Sequence, residues 1–210
     1  MVKTKPSSQL PSIEAARRWV QPRVSEWRLR HIEGVAATAR SLAKRVGCDV
    51  YLAELAAWLH DACKEIGSKE LIALAKEFGL AVHPVEEKNG HLLHGPVGAE
   101  VVRRDLAVSN EEILHAIAEH TLGAVPMSLL SKVVFLADAL EPRRPTDFTE
   151  PIWQALDNGD HASDQVNVDR AIAVACDLTI KDLIETGKII HPRMIEVRNF
   201  YWEAANAPPA

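Results

Sequence analysis

The sequence predicts an all-α fold, a single-domain helical bundle, from three observations. Apolar residues recur at the three- and four-residue spacing of helices along most of the chain, and no segment alternates as a half-buried strand would. The length of 210 residues suits one domain with a well-buried core. The hydrophobic fraction of 47% and the charged fraction of 25% are typical of globular proteins.

Three helices are predicted in the first part of the chain. Ser12 is expected to cap a first helix that Pro22 interrupts. A second helix over residues 31–46 carries one apolar stripe. Residues 50–61 are apolar on nearly every side, which indicates a central helix surrounded by others.

The middle of the chain predicts two more helices separated by a turn. Ser68 and Gly79 bracket a short helix, as its N-cap and the glycine after its end. Residues 83–90 are rich in turn formers, and a helix is expected to follow Pro96.

Caps and prolines organise the rest of the sequence. Ser109 and Glu112 are interpreted as a capping box, and Ser128 as the start of the next helix. Residues 141–164 contain three prolines and a glycine, which predicts a long irregular connection. Two final helices are expected over residues 167–187 and 193–205.

A histidine followed by an aspartate ends the central apolar helix, and more residues of these two types end other apolar faces. In chain order they are His31, His60, Asp61, His94, His120 and Asp138. A buried carboxylate beside an imidazole is costly unless each group is paired or bound to a cation. These ligand types suit Zn, Fe, Mn, Co and Ni. Six of them, with one aspartate able to bridge, predict a two-metal site suited to phosphoryl chemistry.

Four other histidines are interpreted as ordinary polar or capping residues; they are His83, His115, His161 and His191. His94 is favoured over His91 as a ligand because the small-residue stretch GPVGA follows it. Position 115 lies about 140° around its helix from position 120, so both side chains cannot face one site.

Charge and cysteine content exclude several classes of partner. The net charge of −5 argues against a nucleic-acid partner or wholesale attraction to a membrane surface. No apolar run approaches the ~20 residues that cross a bilayer. Three widely spaced cysteines form no CxxC pair, and the N-terminus has no signal-like apolar stretch. A cytoplasmic location is therefore expected.

The order H…HD…H…H…D resembles the HD-domain metal-dependent phosphohydrolases. The longer stretches RLRHIEGVAATARSLA, LAAWLHDACKE, LLHGPVGAE, AIAEHT and MSLLSKVVFLADALEPRR are similar to the bacterial symmetrical bis(5′-nucleosyl)-tetraphosphatases of this type. The similarity covers residues 28–144. It implies a bundle of the HD-domain type with an N-terminal helical extension (1–27), a metal-binding core (28–144) and C-terminal loop and helices packed on it (145–210).

The resemblance also implies an activity and a set of roles. Diadenosine tetraphosphate would be cleaved symmetrically to two ADP molecules at two metal ions, expected to be iron, with manganese or cobalt as alternatives. His31, His60, Asp61 and Asp138 would hold one ion, and Asp61 would bridge to a second held by His94 and His120. The catalytic residues would be Asp61, Lys64 and Arg144. Substrate would contact Arg28, Lys64, Thr121, Arg143 and Arg144.

The sequence departs from the family pattern at two places near the expected phosphate site. Ala124 stands where relatives often carry a basic residue, and Pro145-Thr146 lengthens the stretch after EPRR. Three alternatives therefore stay open: an HD-type phosphatase or pyrophosphohydrolase acting on mononucleotides, a diiron oxygenase, and a metal-bound regulatory module without turnover.

Several smaller features are also left open by the sequence. The resemblance implies that the small residues Gly98 and Ala99, after His94, let their helix approach the site closely. Trp19, Trp27 and Trp58 are interpreted as core or interface aromatics, with adenine stacking as the less favoured alternative. The C-terminal helices would either close the pocket or form a homodimer.

Overall fold

The computed structural model describes residues 10–157 and 167–207, which form eleven α-helices and no β-strand. The helices are α1 Ile13–Val20, α2 Glu26–Val46, α3 Val50–Leu59, α4 Ser68–Glu77, α5 Pro84–Lys88, α6 His94–Leu106, α7 Glu111–Glu119, α8 Leu129–Ala139, α9 Thr146–Asp157, α10 Val168–Glu185 and α11 Pro192–Asn206. The all-α prediction is confirmed.

Helix α3 lies at the centre of the bundle, where it packs against α1, α2, α7 and α8. Its Ala53, Leu55, Ala56 and Leu59 side chains are fully buried, as the sequence predicted for this helix. Complete burial of a leucine stabilises the fold by roughly 1.5–3 kcal/mol relative to exposure. The chain that leaves α3 at residue 60 therefore starts inside the core.

Several predicted helix caps are confirmed and two are wrong. Ser12 and Ser128 accept backbone N–H bonds at the starts of α1 and α8, as predicted, and Asn167 caps α10 in the same way. Gly67 is the N-cap of α4, and Ser68 is already its first helical residue. Asn110, not Ser109, caps α7 by accepting from the N–H of Ile113. In both errors, an adjacent residue has the extended backbone that an N-cap requires.

The segment predicted as turns contains the short helix α5, and α6 begins earlier than expected. His83 caps α5 with its ring nitrogen, while Glu86 accepts from the His83 N–H, which completes a capping box. Pro84 suits the first helical position because its missing N–H is not needed there. Helix α6 begins at His94 itself rather than after Pro96.

The predicted irregular connection is also wrong over much of its length, because residues 146–157 form α9. Phe148, Ile152, Ala155 and Leu156 recur at helical spacing, and the last three are buried. Pro151 lies inside this helix, where it removes one backbone donor without ending it. The rest of that segment, with His161, lies outside the described residues.

The C-terminal helices pack on the rest of the bundle through α10, which contacts α8, α9 and α11. On α11, the Tyr201 hydroxyl accepts from the Met127 N–H at 2.6 Å and donates to the Ala124 carbonyl at 3.4 Å. His191 caps this helix, as expected for an ordinary capping histidine. Among the described residues, no helix combines the length and apolarity that crossing a membrane requires.

Candidate metal centre

Each of the six ligand-type side chains lies at or near the end of a core helix. His31 is near the start of α2, His94 opens α6, and Asp138 is near the end of α8. His60 and His120 directly follow α3 and α7. Because these helices pack together, their ends bring all six side chains into one cluster.

Three histidines in the cluster are oriented by the carbonyl group three residues earlier. The Nδ1 atoms of His60 and His120 lie 2.6 Å from the Ala57 oxygen and 2.7 Å from the Ile117 oxygen. His94 Nδ1 makes the same bond to the His91 carbonyl. An Nδ1–H donor leaves Nε2 unprotonated in the neutral ring, which is the form that binds a metal. All three Nε2 atoms face the centre of the cluster.

One group of ligands gathers around the Oδ2 atom of Asp61. His31 Nε2 lies 3.7 Å from this oxygen and 3.1 Å from Asp138 Oδ1. His60 Nε2 lies 3.6 Å from the same Asp61 oxygen. Ligands bound about 2.0–2.2 Å from one ion lie roughly 3–3.6 Å apart at tetrahedral or octahedral angles. His31, His60, Asp61 and Asp138 are therefore placed to share an ion.

The second group gathers around the other oxygen of Asp61. His94 Nε2 and His120 Nε2 lie 3.2 Å and 3.5 Å from Oδ1. The two nitrogens are 2.9 Å apart. The Asp61 carboxylate thus faces one ligand group with each oxygen, as a bridging ligand does. His60 also lies within ligand distance of His120 and Asp61, so it borders both groups.

The chemistry of these groups fits bound cations. His94 and His120 both donate through Nδ1, so their facing Nε2 atoms are both acceptors and repel each other unless they share a cation or use the nearby donors Lys64 and Thr121. His60 Nε2 and Asp61 Oδ1 are buried without a hydrogen-bond partner. Such groups are costly in a core unless they are ligands. The cluster therefore fits a metal centre.

Electrostatics keep the ligands in their metal-binding protonation states. Burial lowers the pKa of His60 and of His94 to about 4, so both rings are neutral near pH 7. Burial opposes ionisation of Asp61, but the surrounding His60, His120 and His94 outweigh it and hold its pKa well below the usual range. Burial likewise opposes ionisation of Asp138, and His31 and Arg144 outweigh it and lower that pKa.

A cavity of about 350 Å³ opens beside the metal centre and contains four basic side chains. Arg28 Nη1 lies 2.8 Å from Asp61 Oδ2, and Arg144 Nη2 lies 2.9 Å from Asp138 Oδ1. Lys64 Nζ lies 3.2 Å from His94 Nε2, and burial lowers its pKa. The fourth basic side chain is Arg143, whose Nε lies 2.9 Å from Glu141 Oε1. A basic cavity beside paired metal sites suits a phosphate chain.

Two sequence-predicted positions lie elsewhere than expected. The Thr121 hydroxyl is 3.1 Å from both His94 Nε2 and His120 Nε2, so it belongs to the ligand cluster rather than to the lining of the cavity. Ala124 faces the C-terminal helices, where its carbonyl accepts from Tyr201. Because Ala124 does not line the cavity, its lack of a basic group leaves the four cations there unchanged.

Comparison with known proteins identifies the family of this chain. The sequence model of the HD-domain family matches residues 28–143, more than half of the chain. The chain belongs to the HD-domain family. The predicted family is therefore confirmed. The six clustered side chains occur in the order H…HD…H…H…D on which the sequence resemblance was based.

Curated relatives match most of the chain. It is 34% identical over 180 residues to the "Bis(5'-nucleosyl)-tetraphosphatase, symmetrical" of Halalkalibacterium halodurans, covering 86% of this chain and 91% of the relative. It is 40% identical over 157 residues to the protein of the same name in Bacillus subtilis, covering 69% and 84%. The sequence resemblance implied the same activity, that of a symmetrical bis(5′-nucleosyl)-tetraphosphatase.

A solved structure shares the HD-domain fold over nearly the whole chain. The crystal structure is described as a predicted HD superfamily hydrolase involved in NAD metabolism, from Clostridium acetobutylicum. It superposes with a TM-score of 0.84 at 28% identity and covers 93% of this chain and 100% of its own. The likeness therefore extends beyond the HD domain into the C-terminal helices.

Sequence reasoning missed two residues that support the HD centre. Glu141 is buried, and its Oε2 lies 3.6 Å from Nδ1 of His31, where a carboxylate can orient a ligand histidine. Gly34 leaves room for it, since a Cβ there would come within 2.3 Å of Glu141 Oε1. The sequence did contain a signal for Glu141, because it is the first residue of the EPRR stretch. Only the two arginines of that stretch were given a role in the sequence analysis.

Glycine in α6 was assigned at the wrong position. A Cβ on Gly98 would make ordinary contact, 3.7 Å from Ile117 Cγ2. A Cβ on Gly95 would instead lie 2.9 Å from the Ala118 oxygen and 3.3 Å from His120 Cε1. The close approach of α6 to the metal centre therefore depends on Gly95, which directly follows the ligand His94.

Proposed function

We propose that this protein is a symmetrical bis(5′-nucleosyl)-tetraphosphatase, which hydrolyses diadenosine tetraphosphate to two ADP. The observation that carries the proposal is the bridging geometry of Asp61 between two ligand groups, beside a cavity with four basic side chains. The names of its HD-domain relatives support the same activity.

The proposed cofactors are two metal ions, with iron as the first choice and manganese or cobalt as alternatives. His31, His60, Asp61 and Asp138 would hold one ion, and Asp61, His94 and His120 the other. When bound, paired ions supply Lewis acidity, which activates water and neutralises charge on phosphoryl oxygens.

The residues around the cavity bind and orient the phosphate chain. The guanidinium of Arg144 can form two parallel bonds to a phosphate, and Arg143 lies beside it. Lys64 and Arg28 lie next to Asp61 and His94, where they would neutralise charge at the cleaved anhydride. In the balanced reaction a water oxygen bonds to one of the two central phosphorus atoms. The bond from that atom to the central bridging oxygen breaks, the bridging oxygen leaves on one ADP, and the water oxygen remains on the second ADP after losing a proton to solvent.

Thr121 has a different proposed role from the phosphate contact that the sequence suggested. Its hydroxyl lies between two ligand nitrogens, so it would orient their lone pairs or a water beside them rather than grip a distant phosphate. The four basic residues favour a phosphate substrate over the small organic substrate of an oxygenase. The mononucleotide phosphatase and the regulatory module are not favoured either, because the HD relatives carry the tetraphosphatase name.

The deciding experiment is chromatography of nucleotides after incubation of the purified protein with diadenosine tetraphosphate and iron, manganese or cobalt. ADP as the sole product supports the proposal. ATP with AMP would overturn the symmetrical cleavage, and no product with any metal would overturn the assignment. Arg144→Ala should lower turnover at least about tenfold, the usual scale for one lost charged contact, and keep the metal content unchanged.

Three further expectations stay predictions for this chain. A cytoplasmic location is supported by three cysteines that form no disulfide.

The division into an extension, a core and a C-terminal region at residues 28 and 144 would be tested by expressing 28–144 alone. A homodimer is supported by exposed apolar side chains on the last two helices, among them Ile184 and Phe200, and would be tested by sedimentation velocity.

A further inference from the structure

The indole of Trp27 lines the basic cavity beside the metal centre. Trp27, in the first turn of α2, borders the cavity that also contains Arg28, Lys64 and Arg144. Its side chain is large and apolar, yet the residue is 61% exposed. Burial of an aromatic ring of this size is strongly favourable. The exposed indole is therefore a surface that a bound molecule could cover with a gain in free energy.

The position of the indole is set by its neighbours before any ligand binds. Its ring is nearly parallel to that of His31, at 7° with centroids 6.4 Å apart, and the Arg28 guanidinium lies 4.8 Å from the ring centroid. The start of α2 is held by Ser25, whose N–H and hydroxyl both donate to the carboxylate of Glu65. A preorganised ring loses little conformational freedom when a ligand stacks on it.

The rest of the cavity selects the chemistry of that ligand. Its four basic side chains suit phosphates, which have no flat π-face to stack on an indole. A nucleotide places a flat base a few ångströms from its phosphates, and aromatic stacking is worth about 1–3 kcal/mol per base. We propose that Trp27 is the stacking platform for one nucleobase of the dinucleotide, an inference that rests on the proposed function.

This role has a consequence for specificity. Every nucleobase has a π-face, so stacking tolerates different bases and does not read their hydrogen-bonding edges. The polar side chains that line the cavity are the four basic residues together with Glu141 and three of the proposed metal ligands, His31, Asp61 and Asp138. Adenine and guanine dinucleotides should therefore bind with similar affinity, and both should depend on Trp27.

The test compares ADP with inorganic pyrophosphate, because both contain a diphosphate but only ADP has a base. Their Kd values are measured by calorimetry on the metal-loaded protein and on Trp27→Leu and Trp27→Phe. Trp202→Leu is the matched control, because Trp202 is also exposed, at 41%, but lies on α11 and does not line the cavity. Metal content is measured for every variant.

Trp27→Leu should raise the Kd of ADP about fivefold or more, since ~1 kcal/mol corresponds to roughly that factor. Trp27→Phe should restore most of the affinity. Pyrophosphate affinity, metal content and the behaviour of Trp202→Leu should match the unchanged protein. For diadenosine tetraphosphate, Trp27→Leu should raise KM much more than it lowers kcat.

Two results would overturn the inference. Equal ADP affinity in Trp27→Leu and Trp202→Leu would exclude stacking. Equal losses for ADP and pyrophosphate, accompanied by loss of metal, would show that Trp27 only positions His31. Failure of the unchanged protein to hydrolyse the dinucleotide would instead contradict the proposed function, and the ADP measurement would still decide the role of Trp27.

Discussion

The carboxylate of Asp61 faces a different pair of imidazoles with each of its oxygens. Oδ2 lies near His31 and His60, and Oδ1 lies near His94 and His120. The residue is almost completely buried, so its negative charge depends on neighbouring groups rather than on water: Arg28 pairs with Oδ2 at 2.8 Å, and bound metal ions would supply the remaining positive charge. Loss of this one side chain should therefore disturb both ion sites, whereas loss of an outer ligand should disturb one.

Asp61→Ala should remove both metal ions, and His94→Ala should weaken mainly the second. Elemental analysis of the purified variants measures the number of ions per chain. Asp105→Ala is the matched control, because Asp105 pairs with Arg23 at 3.6 Å, outside the metal centre. Equal metal content in all three variants would contradict the bridging role of Asp61.

Glu141 is the second position where one side chain should change metal binding. Glu141→Gln keeps the shape of the side chain but removes the charge that faces Nδ1 of His31. Changes to such supporting groups typically weaken metal binding about 10–100-fold, so a loss of at least tenfold in affinity for the first ion is expected. Metal titration of the apoprotein measures this value.

Glu33→Gln serves as the control for Glu141, because Glu33 lies on α2 with His31 but pairs with Arg17 on the surface. Its metal affinity should match that of the unchanged protein. An unchanged affinity in Glu141→Gln as well would show that Glu141 only packs against Gly34.

The packing of α6 against α7 places two metal ligands on neighbouring helices. His94 opens α6 and His120 follows α7, so the distance between the helices sets the distance between their Nε2 atoms. Gly95 lies at the closest approach, against the backbone of α7. A rigid backbone neighbour cannot move aside as a flexible side chain can.

Gly95→Ala should lower the free energy of unfolding by about 1–3 kcal/mol, because its Cβ would collide with backbone oxygens. It should also lower metal content, since His120 would be displaced. Gly98→Ala, in the same helix, should be neutral or stabilising by up to about 1 kcal/mol, because its Cβ meets only ordinary contacts. Urea unfolding and elemental analysis of both variants test the contrast. Equal effects would be inconsistent with the close contact at Gly95.

The whole fold should become less stable as the pH falls, because the core contains neutral histidines. Their pKa values in the folded protein, about 4 for His60 and His94, lie below the ordinary value of 6.5. Between these values the unfolded chain binds protons that the folded chain does not. Stability is therefore retained above pH 6.5 and lost progressively as the pH falls from 6.5 towards 4.

The Tm of the metal-free protein, measured between pH 7.5 and 5, should fall with pH over this window. The metal-loaded protein should show a steeper fall, because protons compete with metal for the same Nε2 atoms. A Tm independent of pH over the whole range would contradict the burial of neutral histidines.

The sequence alone was enough to predict the helical class, the position of the central helix and the six ligand-type residues. Each depends on a local or ordered pattern: the periodic apolar face of a helix, the apolar surroundings of residues 50–61, and the order of histidines and aspartates. The same local rules misassigned α9, because the prolines of this segment were given more weight than its buried face of Ile152, Ala155 and Leu156. They also misplaced two helix caps by one residue.

Only the tertiary structure decided which atoms meet. The approach of Glu141 to His31, the contact at Gly95, the bond from Tyr201 to the Ala124 carbonyl and the position of Trp27 beside the cavity all join residues that are distant in the sequence. Periodicity along one helix determines which face is buried but contains no information on the neighbouring helix. Those distances depend on how the helices pack, and packing is determined by the whole core at once.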